Sequence, residues 1–449
     1  GNMSIGKFIM NPFALLFITL FLGMAFGKIK IKKFSFGACG ALIIGLVFGW
    51  MIMLYANSIG KASPLYKTAS QMISKGVISS DFSNFFLILF VVSVGLISGK
   101  QVVSALKKYG MKFLTIGFAI PLIAFILTFA AMKITNVNPY QISGVYSGSM
   151  LSSPTFAVSL DSTGSQAQKL ADEYSGLNQK QKQKVLNMID TSLKAQDVTS
   201  LSSDQKSKLI AAAKGYTSMG HSITYPVGIL VAIITIITIP KAFGMDIDEE
   251  RKKFRSTVDS GSKKVNKKEI KVIFFDVTAF GLTAFLGVLL GDIKIKSFSL
   301  GIAGGALIVA LLLSAIGKIG PLNFRMDDKV LGVTRSIGLS LFLSATGLNY
   351  GYNVVKSIAS SGLQILIIGA LILFISMMSG YFIGRYIFKL DWLALSGALC
   401  GGITNTPTLG AAIDSVKGDE PAIGYGAVYP FGLIFKIIFV IILHKAFLI

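Results

Sequence analysis

Long apolar runs separated by short polar connectors recur along the whole chain. A bilayer core of about 30 Å needs about 20 apolar residues in a helix. Ten stretches fit that pattern: 8–27, 34–56, 84–99, 111–134, 222–243, 271–291, 298–316, 335–351, 361–385 and 422–443. Two more, near 141–160 and 392–413, are apolar but broken by Gly, Ser, Thr, Asn and Pro. They are too polar to be simple lipid-facing helices, because lipid satisfies no free backbone or side-chain polar group.

Two segments are hydrophilic. From Asp161 to Met219 the chain is rich in Ser, Gln, Lys and Asp. Within it, Lys184–Leu193 has helical apolar spacing, and Ser202 with Gln205 reads as a capping box opening a helix through Ala213. This predicts a small helical appendage on the membrane surface. The second segment, Arg251–Lys271, carries nine Lys or Arg against Asp259 and Glu269.

The chain also repeats itself. FLGMAFGKIKIKKFSFG (21–37) returns as FLGVLLGDIKIKSFSLG (285–301), and LILFVVSVGLISG (87–99) as LSLFLSATGLNYG (339–351). Gly110 and Gly117 recur as Gly362 and Gly369. SGVYSGSMLSSPTFAVSLDS (143–162) matches SGALCGGITNTPTLGAAIDS (396–415). Tyr225-Pro226-Val227-Gly228 matches Tyr429-Pro430-Phe431-Gly432, and Lys241-Ala242-Phe243 matches Lys445-Ala446-Phe447. The register changes across the hydrophilic segment, which is therefore an insertion into the first repeat alone. The organisation that follows is a first repeat over 3–160 and an insertion over 161–221. The first repeat's last helix is 222–243, a basic linker covers 244–270, and the second repeat is 271–449. Gly1-Asn2 ahead of Met3 reads as a cloning remnant.

Composition narrows the class. Of 449 residues, 53% are hydrophobic and 14% charged, with mean hydropathy +0.68. A soluble domain carries about a quarter charged residues, so a soluble enzyme, a disordered chain and a secreted disulfide scaffold are excluded. Cys39 and Cys400 lie in apolar stretches, as core fillers do, and two histidines, His221 and His444, make no credible zinc site. The net charge of +22 sits in short connectors, the pattern of membrane orientation rather than of a nucleic-acid face.

Orientation follows from those connectors. If each broken segment enters and leaves on one side, each half crosses five times. The basic loops at Lys28–Lys33, Lys100–Lys112, Arg251–Lys271 and Arg385–Lys389 then share the cytoplasmic side. The expected fold is an all-α polytopic membrane protein of two inverted repeats, each with five transmembrane helices and one re-entrant broken segment. Both termini and the 161–221 insertion are expected to be extracytoplasmic, in the cell membrane. Full crossing by the broken segments is the alternative.

Inverted repeats suit alternating access, with the ligand near the midplane where discontinuous helices meet. The second broken segment, Gly401-Gly402-Ile403-Thr404-Asn405-Thr406-Pro407-Thr408, is built for that. Its glycines let the backbone leave a helix, and Pro407 removes an amide and disfavours helix just before it. Thr404, Asn405 and Thr406 add donors and acceptors, and a restarting helix would offer its positive N-terminus to a carboxylate. The matching stretch in the first half holds Gly148, Ser149, Ser152, Ser153, Pro154 and Thr155. A Gly/Pro break that merely kinks a helix is the bland reading, and its symmetric repetition favours a binding site.

GALCGGITNTPTLGAA (397–412), with SGSMLSSPTFA (147–157), resembles the membrane repeats of the aspartate–alanine exchanger family, and the likeness covers most of both membrane halves. The resemblance implies a secondary transporter exchanging amino acids or dicarboxylates, with external termini and a cytoplasmic connection between halves. It also implies a homodimer in which a substrate-carrying core moves against a scaffold, in an elevator-like manner. Members commonly carry two soluble regulatory domains in the central loop, where this chain has only a short basic linker. The insertion after Asp161 and the Leu151-Ser152 that replaces Thr404-Asn405 are further departures. The glutamate–sodium and citrate–sodium symporters are similar in architecture and supply the alternative reading.

Intramembrane charges are expensive and default to functional candidates. Arg335, at the position of Ser83 in the first repeat, is either a counter-charge for an anionic substrate or an interfacial residue snorkelling to headgroups. Lys436, mid-span, either pairs with a carboxylate such as Asp276 or binds substrate. Asp276 is a carrier of a coupling proton or an interfacial residue. Asp161 and Asp414, equivalent positions after the breaks, couple a cation or cap helix ends. The repeated Gly95/Gly99 and Gly347/Gly351 pairs suit close helix packing.

No phosphate loop, nucleophile elbow or metal-ligand spacing is present in the sequence. An ATP-driven pump is therefore disfavoured, and the function that the family resemblance implies is exchange of a small anionic or zwitterionic substrate across the bilayer. It needs no cofactor, and the coupling ion, sodium or proton, is left open. A sodium- or proton-coupled symporter is the alternative, followed by a passive channel. An enzyme is not expected.

Overall fold

The computed structural model describes residues 5–30, 35–261, 270–295, 300–359 and 362–446. Parts of the basic loops (32–33 and 262–269) and of the repeated blocks (31–34, 296–299 and 447) lie outside the described residues.

The first half opens with the short α1 (Ile5–Ile9), then α2 (Pro12–Gly27), capped by the Asn11 side chain on the amides of Phe13 and Ala14. It continues through α3 (Cys39–Ser58), α4 (Tyr66–Lys75) and the long α5 (Ser80–Ile134). A helical hairpin follows, α6 (Pro139–Ser149) and α7 (Ser153–Glu173), then α8 (Gln179–Ile189) and α9 (Ser203–Ala242). The linker forms α10 (Ile247–Gly261).

The second half runs α11 (Val277–Asp292), α12 (Gly301–Ile316), α13 (Asp328–Ala359) and α14 (Leu363–Phe382), which ends in a π turn. A second hairpin, α15 (Trp392–Gly402) and α16 (Thr406–Val416), leads into α17 (Pro421–Lys445). The β structure includes one two-stranded ribbon, β1 (Lys318–Ile319) with β2 (Leu322–Asn323), and an isolated bridge between Ile273 and Met326. Among the described residues, six helices are long and apolar enough to cross a membrane: α3, α5, α9, α13, α14 with its π turn, and α17.

The expectation of separate spans at 84–99 and 111–134 meets one hydrogen-bonded run, α5. Straight, its 55 residues would extend about 80 Å. It cannot be straight. The Ile78 amide donates to Asn349 on α13, while Asn136 and Asn138 line a cavity with Asn353 and Lys356 of the same helix. The run therefore doubles back, and it does so within the 100–112 stretch. That stretch is rich in good helix formers and has no proline, so the basic connector stays helical instead of opening into a loop.

The basic connectors gather at one end of the molecule. Lys100 pairs with Asp328 at 3.0 Å, Lys112 donates to the Phe388 carbonyl, and Arg385 grips Glu250. Arg251 pairs with Glu420, and the Ala38 amide donates to Asp414. The appendage lies at the other end of α9, a helix of 40 residues and about 60 Å. It has its own small core of Leu170, Tyr174, Val185, Leu186, Leu201 and Leu209. The Ser202–Gln205 capping box forms, but its helix continues past Ala213 and becomes the span.

The glycine pairs do pack helices. A Cβ at Gly351 would lie 2.0 Å from the Leu46 carbonyl of α3, so no other residue allows that approach. Gly95 and Gly99 meet Ala310, Leu311 and Ser314 of α12 in the same way.

Candidate functional site

Each broken segment is a hairpin of two antiparallel arms. In the first, Tyr140 on α6 bonds Gln166 on α7, and the Thr217 hydroxyl of α9 meets both Ser143 and Thr163. Nearer the tip, His221 Nδ1 lies 2.9 Å from Ser147 Oγ, and its ring stacks on Phe156. In the second hairpin, adjacent residues of α10 hold both arms at the base. Glu250 accepts from the Trp392 amide at 2.8 Å, and Arg251 donates to the Val416 carbonyl at 2.6 Å. The two bases lie at opposite ends of α9, and the two tips point toward each other.

The tips are built alike. Leu151 (φ 53°) and Thr404 (φ 52°) both adopt the left-handed conformation that L-residues avoid. The Ser152 amide reaches the Ser147 carbonyl, and the Asn405 amide reaches the Cys400 carbonyl. That six-to-one bond closes a Schellman turn and stops the first arm. The next residue is at once the N-cap of the second arm: Ser152 accepts from the Thr155 amide and Asn405 from the Thr408 amide. Pro154 and Pro407 follow in the first helical turn, where a missing N–H costs nothing. Helix α7 and helix α16 thus begin at the tips, with positive N-terminal ends there.

Gly401 and Gly402 do not make the break, contrary to expectation. Both are helical within α15; Thr404 makes the turn. The glycines serve close packing instead, Gly402 against Ile120 and Gly148 against Thr224.

One side chain joins the tips. Lys436, fully buried on α17, donates to the Met150 carbonyl at 3.0 Å and to Thr404 Oγ1 at 2.8 Å. Its expected pairing with Asp276 does not occur. Asp276 caps α11, accepting from the Ala279 amide at 3.0 Å, because it stands just before that helix and not within a span.

A cavity of about 400 Å³ lies against both tips, within the usual range for a small-molecule site. Leu151, Ser152, Ser153 and Pro154 form one wall, and Thr404, Asn405, Thr406 and Pro407 another. Tyr225 and Tyr429, an equivalent pair from the two YP segments, also line it, with polar Ser80, Ser83, Asn84, Thr346 and Asn349 and apolar Leu87, Ile229, Ile302 and Phe342. Among the described residues, the lining contains no carboxylate. Two helix N-termini stand at its wall, where backbone dipoles favour negative charge, and Lys436 lies behind the tips.

The other expected residues sit nearby or elsewhere. Thr408 Oγ1 bonds Asn405, Thr155 Oγ1 bonds Ser152, and Ser149 bonds back to the Tyr146 carbonyl, so all three support the tips. Arg335 is not at this cavity: it grips Asp419 at the basic end, in a separate depression with Ser336 and Lys417. Asp414 accepts from the Ala38 amide at the start of α3, a helix-end role across the two halves. Asp161 is exposed on α7. Tyr225 and Tyr429 were visible in the sequence only as repeated residues, with no chemistry of their own to flag them.

At the base of the second hairpin, Arg385 meets Glu250 through two parallel bonds of 2.7 Å. Burial alone would raise the Glu250 carboxyl. The Arg385 guanidinium and the Trp392 amide overcome that and hold it down at about 2.

Both halves of the chain match a known membrane-protein family. Residues 15–241 and 279–445 match the aspartate–alanine exchanger type of family described as a predicted permease membrane region. An uncharacterized transporter of Desulfotalea psychrophila is 24% identical over 95% of both chains. One from Bacteroides fragilis is 41% identical over 39% of this chain and 34% of its own length. A Geobacter sulfurreducens transporter is 37% identical over 37% of this chain and 32% of its own. The matches to the Bacteroides and Geobacter relatives thus span about a third of those proteins.

Proposed function

The chain belongs to this permease membrane-region family, and from that membership we propose that it exchanges small carboxylates or amino acids by alternating access. That it is a multi-pass membrane transporter follows from its apolar helices and its relatives. The observation that carries the finer reading is the meeting of two hairpin tips at a carboxylate-free cavity, with Lys436 bonded to both.

In this reading the halves are inverted repeats and both hairpins are re-entrant. The antiparallel arms and the bases at opposite ends of α9 support it. So does the gathering of basic connectors at one end, taken as cytoplasmic by the charge bias of membrane proteins. The termini and appendage are then extracytoplasmic. The substrate carboxylate sits at the N-termini of α7 and α16. The core that holds the hairpins moves against a scaffold in a homodimer, as the family resemblance implies.

Counterflow tests this. Proteoliposomes preloaded with aspartate, alanine, glutamate, succinate or citrate are given labelled aspartate, with and without sodium. Saturable uptake that requires an internal partner is the expected result. Uptake driven by inward sodium alone would replace exchange with symport, and no uptake under any loading would overturn the substrate class.

A further inference from the structure

Lys436 is an unusual group to bury. Its ammonium lies within a membrane helix at 0% exposure, and its two bonds are to neutral oxygens, a main-chain carbonyl and a hydroxyl. No ion pair to it is formed among the described residues. A buried charge without a counter-charge is costly unless something else compensates it.

Its surroundings are those of a bound cation. Met150 follows the last turn of α6, so its carbonyl belongs to the negative end of that helix. In carriers with broken helices, such carbonyls and neighbouring hydroxyls coordinate the coupling ion, while the opposing N-termini take the substrate anion. Here an ammonium fills the first of those places.

The two halves differ at the residues this arrangement needs. The second tip offers Thr404, whose hydroxyl accepts from Lys436, where the first has Leu151. Through the matched YP segments, position 436 corresponds to Ala232 in the first repeat. The lysine and its hydroxyl partner thus occur together in one half and are absent together from the other.

We propose that the Lys436 ammonium is a tethered cation standing in the coupling-ion position between the hairpin tips. Transport then needs no bound metal ion, and the substrate's carboxylate supplies the missing counter-charge. The inference rests on the carrier reading above for its transport consequence, but the cation site itself does not depend on it.

Two measurements on the full-length protein separate these. In counterflow, wild type works equally in sodium and choline salts, and Lys436→Met, of similar shape and neutral, falls about thirtyfold or more in rate. Unchanged counterflow by Lys436→Met, or a sodium requirement in wild type, overturns the inference while leaving the carrier standing. In detergent, Lys436→Ala is melted with propylammonium, which replaces the missing side-chain atoms, and with choline as control. A rise in melting temperature with propylammonium, absent in wild type, is expected. Equal melting with both salts overturns the cation site. Absence of wild-type counterflow with every substrate would fail the carrier reading, and the melting experiment would still decide the site.

Discussion

Both carboxylate oxygens of Asp419 lie within 2.6 Å of one guanidinium nitrogen of Arg335, at the end of the molecule opposite the cavity's Asn349 side. In the first repeat the position of Arg335 is Ser83, which lines the cavity. The same repeat position thus lines the cavity in one half and forms an ion pair in the other. The pair ties α13 to the segment just before α17 at the basic end. Arg335→Gln should raise, by about tenfold, the rate at which an impermeant thiol reagent applied from that end labels Ser98→Cys. The background lacks Cys39 and Cys400, and Ser98 donates to the Asp419 carbonyl. The exchanged pair Arg335→Asp with Asp419→Arg should restore protection. An unchanged labelling rate alongside a raised substrate KM would return Arg335 to the role of counter-charge.

Thr404 carries two burdens, a left-handed backbone costing about 1 kcal/mol and the hydroxyl that receives Lys436. Thr404→Ser keeps the hydroxyl and eases the β-branched strain, so counterflow and melting temperature should stay near wild type. Thr404→Val keeps the shape but leaves the ammonium short of a partner and should cost about 2 kcal/mol in stability. Equal melting of the two variants would show that the hydroxyl does not matter to Lys436.

Much of this arrangement can be read in the sequence, and what cannot has a physical cause. Repetition identified the two breaks and the polar residues in them, and Pro407 stands where its missing amide places it, whereas the N-cap roles of Ser152 and Asn405 emerge only from the structure. Gly401 and Gly402 misled because a glycine pair signals a bend only when nothing else demands a small side chain. Here α5 and α17 press against α15 and demand one. The partner of Lys436 was illegible for a different reason. It depends on α17 passing beside both tips, a contact between residues 286 positions apart. Asp276 seemed available only while its helix was assumed to start before it. The turn of α5 through its basic stretch likewise leaves no local mark, because the residues there are good helix formers.

Glu250 ties α10 to the second hairpin, so it should matter to stability more than to substrate recognition. Its carboxyl is held down at about 2 against an ordinary 4.5. A depressed carboxyl stabilises the fold fully above its unfolded value, and the contribution is lost as pH falls toward the folded value. Glu250→Gln should therefore lower stability by about 2 kcal/mol, with a deficit that is constant from neutrality down to about pH 4.5 and shrinks below it. Melting curves of both proteins across that range check this. A deficit that changed between pH 6 and 8 would mean that some other group governs the clamp.

Asn405 offers the cleanest separation of folding from recognition. Its side-chain oxygen accepts from the Thr408 amide at 2.9 Å and from the Thr408 hydroxyl. Aspartate can accept both bonds equally well, so Asn405→Asp should melt like wild type. It would, however, put a negative charge on the wall of a cavity that has none, and like charges in contact cost several kcal/mol. Counterflow of a carboxylate should therefore fall by at least about tenfold. Asn405→Ser, which copies Ser152 of the first tip, should keep most of both properties, and Asn405→Ala should lose about 1 kcal/mol of stability with its cap. If Asn405→Asp melted normally and carried aspartate as fast as wild type, the substrate's carboxylate would have to bind away from the N-terminus of α16.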